Sequence, residues 1–92
     1  MNIYLFRELI DSLRANIANL DEVADISVGS IHFHAISSYG VCESLNIIMK
    51  NDDTFSVEKV YEYPHDEYKR STIYEGKDIV EINKLVDYHL SF

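Results

Sequence analysis

Leu45-Asn46-Ile47-Ile48-Met49-Lys50-Asn51-Asp52-Asp53-Thr54-Phe55-Ser56-Val57-Glu58-Lys59-Val60-Tyr61-Glu62-Tyr63 is the stretch that decides the fold. Leu45, Ile47 and Met49 alternate as the residues of one strand face do, with Ile48 on the opposite face. Phe55, Val57, Tyr61 and Tyr63 form a second such row, in which Lys59 is the exception. Between the two rows, Asn51-Asp52-Asp53-Thr54 has the composition of a turn. Two alternating runs joined by a short polar turn predict an antiparallel hairpin. Pro64 ends the second strand, because it has no N–H to donate to a ladder.

Upstream of the hairpin, Ile31, Phe33 and Ala35 alternate with His32 and His34, which predicts another strand, broken at Ser37-Ser38-Tyr39-Gly40. At the N-terminal end, Ile3, Phe6, Ile10, Leu13, Ile17 and Leu20 recur at intervals of three and four. That stripe predicts a helix of about nineteen residues, roughly 28 Å long, capped by Asn2. The stripe suits packing on the domain's own sheet, and its heptad-like spacing also suits a seam against a second copy. Asp21, Glu22 and Asp25 are expected in the turn after this helix.

Downstream, His65-Asp66-Glu67 reads as a loop and Tyr68 to Tyr74 as a fourth, edge strand closed by Gly76. Asp78 and Glu81 have the spacing of a capping box. Ile79, Ile82, Val86 and His89, widened by Leu85, mark one face of a C-terminal helix that runs to about Leu90. The order α-β-β-β-(β)-α predicts a single α+β domain over residues 1–92. Its antiparallel sheet would have three or four strands, with both helices packed on one face.

Charge narrows the function. The 92 residues carry sixteen Asp and Glu against eight Lys and Arg, a formal net charge of −8. No Lys or Arg stands between Arg14 and Lys50, and the segment from Asp52 to Glu67 holds six acids and one Lys. Such a field repels nucleic acid and anionic membranes and attracts basic proteins. The apolar content of 47% and aromatic content of 12% are those of a folded body, not of an acidic disordered tail. Cys42 is the sole cysteine, which excludes an intrachain disulfide and suits a reducing cytosol. Neither a signal peptide nor a membrane span is expected, and a bacterial cytoplasm is the expected location.

Chemistry-bearing patterns are sparse. His32-x-His34 puts two imidazoles on one strand face about 6.5–7 Å apart, and a metal site there needs a third ligand such as Glu58 or Glu62. Hydrogen bonds from these histidines to acidic or backbone neighbours are the expected alternative, and neither metal nor cofactor is expected. Cys42-Glu43 with His34 lacks the signature context of a cysteine nucleophile. Gly29 and Gly40 stand outside any phosphate-cradling loop, and Asp52-Asp53 lacks the alternating acids of a calcium loop. Seven Tyr and four Phe would need a basic groove beside them to stack on bases, and the charge here is the reverse. No catalytic residue is expected.

The acids themselves are the candidate site. Asp52 and Asp53 lie on the hairpin turn, Glu58 and Glu62 on the even face of the following strand, and Asp66 and Glu67 in the next loop. Asp21, Glu22 and Asp25 form a second group. Residues two apart on a strand are about 6.6 Å apart. Helical neighbours such as Glu8 and Asp11, or Asp78 and Glu81, lie about 5–6 Å apart at Cβ. Phosphates of one DNA strand rise about 3.4 Å per step. Carboxylates on a rigid domain can therefore approximate the charge of a duplex and occupy the basic groove of a DNA-binding protein. A partner read by a few aromatic residues such as Tyr61 and Tyr63, as by an immunity protein or antitoxin, is the alternative.

In length, acidity, the amphipathic opening Met1-Asn2-Ile3-Tyr4-Leu5-Phe6-Arg7-Glu8 and the α+β order, the whole chain resembles the small acidic anti-restriction proteins of T-even phages. That resemblance implies a homodimeric DNA mimic. Its partners would be a host restriction endonuclease or histone-like nucleoid protein, and it would have no nucleic-acid or membrane ligand of its own.

Overall fold

The computed structural model describes residues 2–38, 41–62 and 68–91. The hairpin forms as its alternation requires: β3 (Val41–Met49) pairs antiparallel with β4 (Phe55–Glu62), Met49 opposite Phe55 and Ile47 opposite Val57. Lys50 N–H donates to the Thr54 carbonyl at 2.8 Å, and Asp53 takes the left-handed conformation (φ 64°) that lets the chain reverse. Asp tolerates that region better than a β-branched residue would.

Three further strands complete a sheet in simple sequential order. β1 (Ala24–Ser27) and β2 (Ser30–Ser38) lie on one side of the hairpin, and β5 (Tyr68–Gly76) on the other. All neighbours are antiparallel. The sheet therefore has five strands, against the three or four that the sequence suggests. The extra one is β1, which has only Ala24 and Ile26 as inward apolar residues and sits in an acidic run. The turn Val28-Gly29 brings it back onto β2, with Gly29 at φ 81°, a conformation a side chain would strain.

Helices α1 (Ile3–Asn16) and α3 (Ile79–Leu90) cover one face of the sheet. Phe6, Leu9 and Leu13 of α1 and Ile82 and Val86 of α3 share a core with Ile31, Phe33, Leu45, Ile47, Met49, Phe55 and Val57. Burying each such large side chain contributes about 1.5–3 kcal/mol. Asn83 ties the helices together. Its Nδ2 donates to Ser12 Oγ and to the Ile79 carbonyl, both at 2.9 Å, while its Oδ1 accepts from Asn16 Nδ2 at 2.5 Å.

The N-terminal helix is shorter than its stripe. It stops at Asn16, Ile17 turns extended (φ −125°, ψ 100°), and a short helix α2 (Leu20–Val23) follows. Ile17 and Leu20 are still buried, so the apolar spacing reports burial through the break rather than helix continuity. Because Phe6, Leu13, Ile17 and Leu20 are taken up by the core, the stripe packs on the domain's own sheet. Asn2 caps α1 by accepting from Leu5 N–H at 3.2 Å. Asp78 caps α3 by accepting from Val80 and Glu81 N–H. The return arm of the expected capping box differs: Asp78 N–H donates to the Tyr74 hydroxyl at 3.0 Å.

Candidate interaction surface

A meander carries sequence order into space. The cation-free stretch from residue 15 to 49 spans α2, β1, β2 and β3, whereas Lys69, Arg70 and Lys77 lie on or beside β5 at the other edge. Within the sheet, the strands of the β1 side thus carry no Lys or Arg, and β5 carries Lys69 and Arg70.

Asp21, Glu22 and Asp25 gather at the acidic edge. Asp21 and Glu22 occupy the first turn of α2, where the helix dipole favours negative charge, and Asp25 follows on β1. They are not in a plain turn after a long helix, as the sequence suggests, but on a short helix and an edge strand. Their exposure is high, 78% for the Asp21 side chain and 74% for that of Asp25. Arg14 reaches Asp21 at 3.6 Å, an exposed pair worth little.

Of the other predicted carboxylates, Asp52, Asp53 and Glu58 are not gathered with these. Asp52 and Asp53 sit at the hairpin turn, and β4 then runs eight residues, about 23 Å from Phe55 to Glu62, toward the far end of the sheet. Asp52 is bound locally: its Oδ1 accepts from Thr54 N–H at 3.1 Å and Thr54 Oγ1–H at 2.6 Å. These bonds, the hydroxyl first, hold its pKa below the ordinary carboxylate value. Asp53 Oδ1 accepts from the Asn2 backbone N–H at 2.9 Å and so fastens the hairpin to the start of α1.

Glu58 occupies the open face as its parity predicts, but its side chain is only 17% exposed and Arg70 Nε lies 3.7 Å from its Oε2. It is a compensated charge rather than a free one. Asp66 and Glu67 lie outside the described residues, and only the backbone position of Glu62 is described.

The inward-facing charges are a finding that the sequence signals only faintly. Glu43 shares the parity of Leu45 and Ile47, and Lys59 that of Val57, so both point beneath the helices. Lys59 Nζ stands 3.1 Å from Glu43 Oε1, with side chains 16% and 14% exposed. That oxygen accepts no aligned hydrogen bond, so the contact is Coulombic rather than directional. His89 of α3, fully buried, sets its Nδ1 3.9 Å from the same oxygen and its Nε2 3.3 Å from the His34 carbonyl. Burial lowers the His89 pKa, against the smaller opposing effects of the His34 carbonyl and Glu43. Lys59 also lies 5.3 Å from the centre of the Tyr88 ring. The signal available in sequence was a pair of charges at inward positions of adjacent strands, facing a histidine on the apolar stripe of α3.

Of the β2 histidines, His34 stands against an acidic neighbour as expected, whereas His32 meets the side-chain amide of Asn46 instead of an acid or the backbone. His34 Nε2 is 3.1 Å from Asp25 Oδ2, and His32 Nδ1 is within hydrogen-bond distance of Asn46 Oδ1. Glu58 is not beside them, because Asn46 of β3 stands between His32 and Glu58 in the register. Cys42 pairs with Ser37 across β2 and β3, its Sγ 3.0 Å from Ser37 Oγ, and faces away from Glu43. A groove of about 390 Å³ opens between α1 and the β1–β2 turn, lined by Ile3, Phe6, Arg7, Ile10, Ile26 and Val28. Beside it Tyr4 is 77% and Val28 79% exposed. No described helix is long and apolar enough to cross a membrane.

Comparison with known proteins yields no relative: no protein-family model, curated protein or solved structure matches the chain.

Proposed function

We propose that the protein is a non-catalytic acidic inhibitor that occupies the basic, DNA-binding surface of another protein. The observation that carries this reading is the highly exposed acid of the α2–β1 edge, which meets only the exposed Arg14 and the His34 ring. Asp21, Glu22 and Asp25 stand exposed within a stretch of 35 residues, from 15 to 49, without a Lys or Arg. Asp52 and Asp53 add charge at the hairpin end and are held rigidly by Thr54 and Asn2. Rigid carboxylates lose little freedom when they meet Lys and Arg. A bacterial restriction endonuclease or histone-like nucleoid protein has the required basic groove, and the resemblance to phage anti-restriction proteins points to that class.

The test is competition. Excess protein should displace duplex DNA from such a partner at low salt, and the effect should fade as salt rises. The triple change Asp21→Asn, Glu22→Gln, Asp25→Asn should weaken displacement more than Asp52→Asn with Asp53→Asn. Failure to displace DNA at low salt sinks the proposal.

A second reading, an immunity- or antitoxin-type binder anchored by apolar contacts, is favoured by the exposed Tyr4 and Val28 beside the groove. Truncating Tyr4 would then matter more than neutralising the acids. The homodimer belongs to the same surface, since the rest of the helix stripe is buried. Sedimentation showing only a 10.7 kDa species at micromolar concentration would remove it.

A further inference from the structure

The open face of the sheet brings together two imidazoles and a carboxylate that lie far apart in the chain. The β1–β2 turn sets Asp25 opposite His32. A bulge between Phe33 and Ile36 follows, and His34 reaches across to Asp25, Nε2 to Oδ2 at 3.1 Å. The His32 and His34 rings have their centres 6.2 Å apart, with planes inclined by 56°. All three residues are exposed.

These distances resemble those of ligands around one cation. With bonds of about 2.0–2.1 Å, two donors on a tetrahedral zinc are about 3.3 Å apart, and two imidazole centres about 5 Å apart. The Asp25–His34 pair is already at the first separation. The two rings are about 1 Å beyond the second. As they stand, no three His, Cys, Asp or Glu side chains among the described residues converge closely enough to hold a metal. Binding would require the exposed His32 and His34 rings to close by about 1 Å.

Asn46 prepares the His32 ring. Its Oδ1 faces His32 Nδ1, and an amide oxygen only accepts, so the His32 proton belongs on Nδ1 and the lone pair on Nε2. A metal-binding imidazole is usually oriented by a hydrogen bond from its other ring nitrogen.

We propose that Asp25, His32 and His34 form a surface site for a divalent cation of the zinc class, with Asn46 as the positioning residue. Two neutral imidazoles and one carboxylate suit zinc, nickel or copper, with water at the remaining position. They do not suit magnesium or calcium, which require more oxygen ligands. The cation would clasp edge strand β1 to β2. The inference shares Asp25 with the proposed inhibitor role, but its readouts involve no partner protein, so the failure of one is distinguishable from the failure of the other.

The experiment is calorimetric titration of the full chain with zinc chloride, alongside histidine ring signals in NMR. Saturable one-to-one binding at micromolar zinc is expected, with shifts of the His32 and His34 signals and none from magnesium. His32→Ala, His34→Ala and Asp25→Asn should each weaken binding at least about tenfold. Asn46→Leu, which keeps all three ligands, should weaken it about 10- to 100-fold. Circular dichroism checks that each variant is folded, and the ring shifts of the unaltered chain report the site without any variant. The proposal is overturned if zinc fails to bind, if His32 and His34 signals stay still when it does, or if His32→Ala and Asp25→Asn leave the affinity unchanged.

Discussion

On the helix-covered face, Glu43, Lys59 and His89 hold charge beside the core; on the open face, Asp25, His34, Glu58 and Arg70 hold it at the solvent boundary. The chemistry is similar and the surroundings differ. Under the helices an unpaired charge has no water to turn to, so each group depends on its neighbours. On the open face water screens the exposed Asp25–His34 pair, while Glu58, nearly as covered as Glu43, leans on Arg70. The covered face is therefore where substitutions should cost stability, and the open face and the acidic edge are where they should cost binding.

The widest gap between the faces should appear at adjacent residues of β2. Phe33→Ala removes a fully buried ring that meets His89 edge-on, with centres 6.5 Å apart, and should cost about 3–5 kcal/mol. His32→Ala, one residue away on the opposite face, should stay within about 0.5 kcal/mol. Urea unfolding of the two variants measures both. Comparable losses would mean that the open face is as tightly organised as the covered one.

A somewhat smaller effect belongs to Lys59. Lys59→Met keeps the apolar stem and strands the Glu43 carboxylate at 14% exposure, which should cost about 3 kcal/mol. Adding Glu43→Gln should restore much of the loss, since the stranded charge is then gone. If the single change is nearly silent in urea unfolding, water already reaches Glu43 and the contrast between the faces is weaker than drawn.

His89 sharpens the comparison through pH. Its folded pKa lies below the ordinary histidine value because burial penalises the charged ring. The groups facing it are Glu43 from β3, Lys59 from β4, and Phe33 and the His34 carbonyl from β2. The unfolded chain takes up the proton near pH 6.5, before the folded chain does. The contribution is thus present above about pH 6.5 and is lost as pH falls toward the folded value. His89→Gln should flatten the decline in the urea midpoint between pH 7.5 and 5 relative to the unchanged protein. An identical slope in the two would place the titration elsewhere.

Much of this contrast was legible in the sequence, and the limits have physical causes. The alternation around Asn51-Asp52-Asp53-Thr54 specifies β3 and β4 because both strands are half-buried and every inward side chain is paired across the register. The α3 stripe of Ile82, Val86 and His89 is buried as its spacing requires. Strand β1 was hidden because four residues with two inward apolar side chains give too short an alternation, and the acids around it resemble a turn. The break at Ile17 was hidden because Ile17 and Leu20 remain buried on either side of it. The acidic edge could not be read as a surface until the strand order showed that the cation-free stretch lies on one side. Asp25 as the neighbour of His34 depends on β1, so it was invisible for the same reason as that strand.

The smallest effect concerns a charge that lies on neither face. Asp52 at the hairpin turn is held ionised chiefly by the Thr54 hydroxyl, then by the Thr54 N–H. Its folded pKa lies below the ordinary carboxylate value of 3.8, so the stabilisation is present above that value and fades as pH falls through the folded one. Thr54→Val removes the hydroxyl and keeps the backbone donor and the β-branched shape. The Asp52 carboxyl should then titrate at higher pH, part of the way back to the ordinary value, as followed by its side-chain carbon signal in NMR. Because Asp52 is fully open to solvent, the substitution should leave the urea midpoint at neutral pH almost unmoved. Displacement of DNA by the protein at neutral pH should also persist, since the carboxylate is ionised with or without the hydroxyl. A fall in displacement with the charge intact would show that the turn acts through its shape rather than its charge, and would shift the binding surface from the acidic edge toward the hairpin.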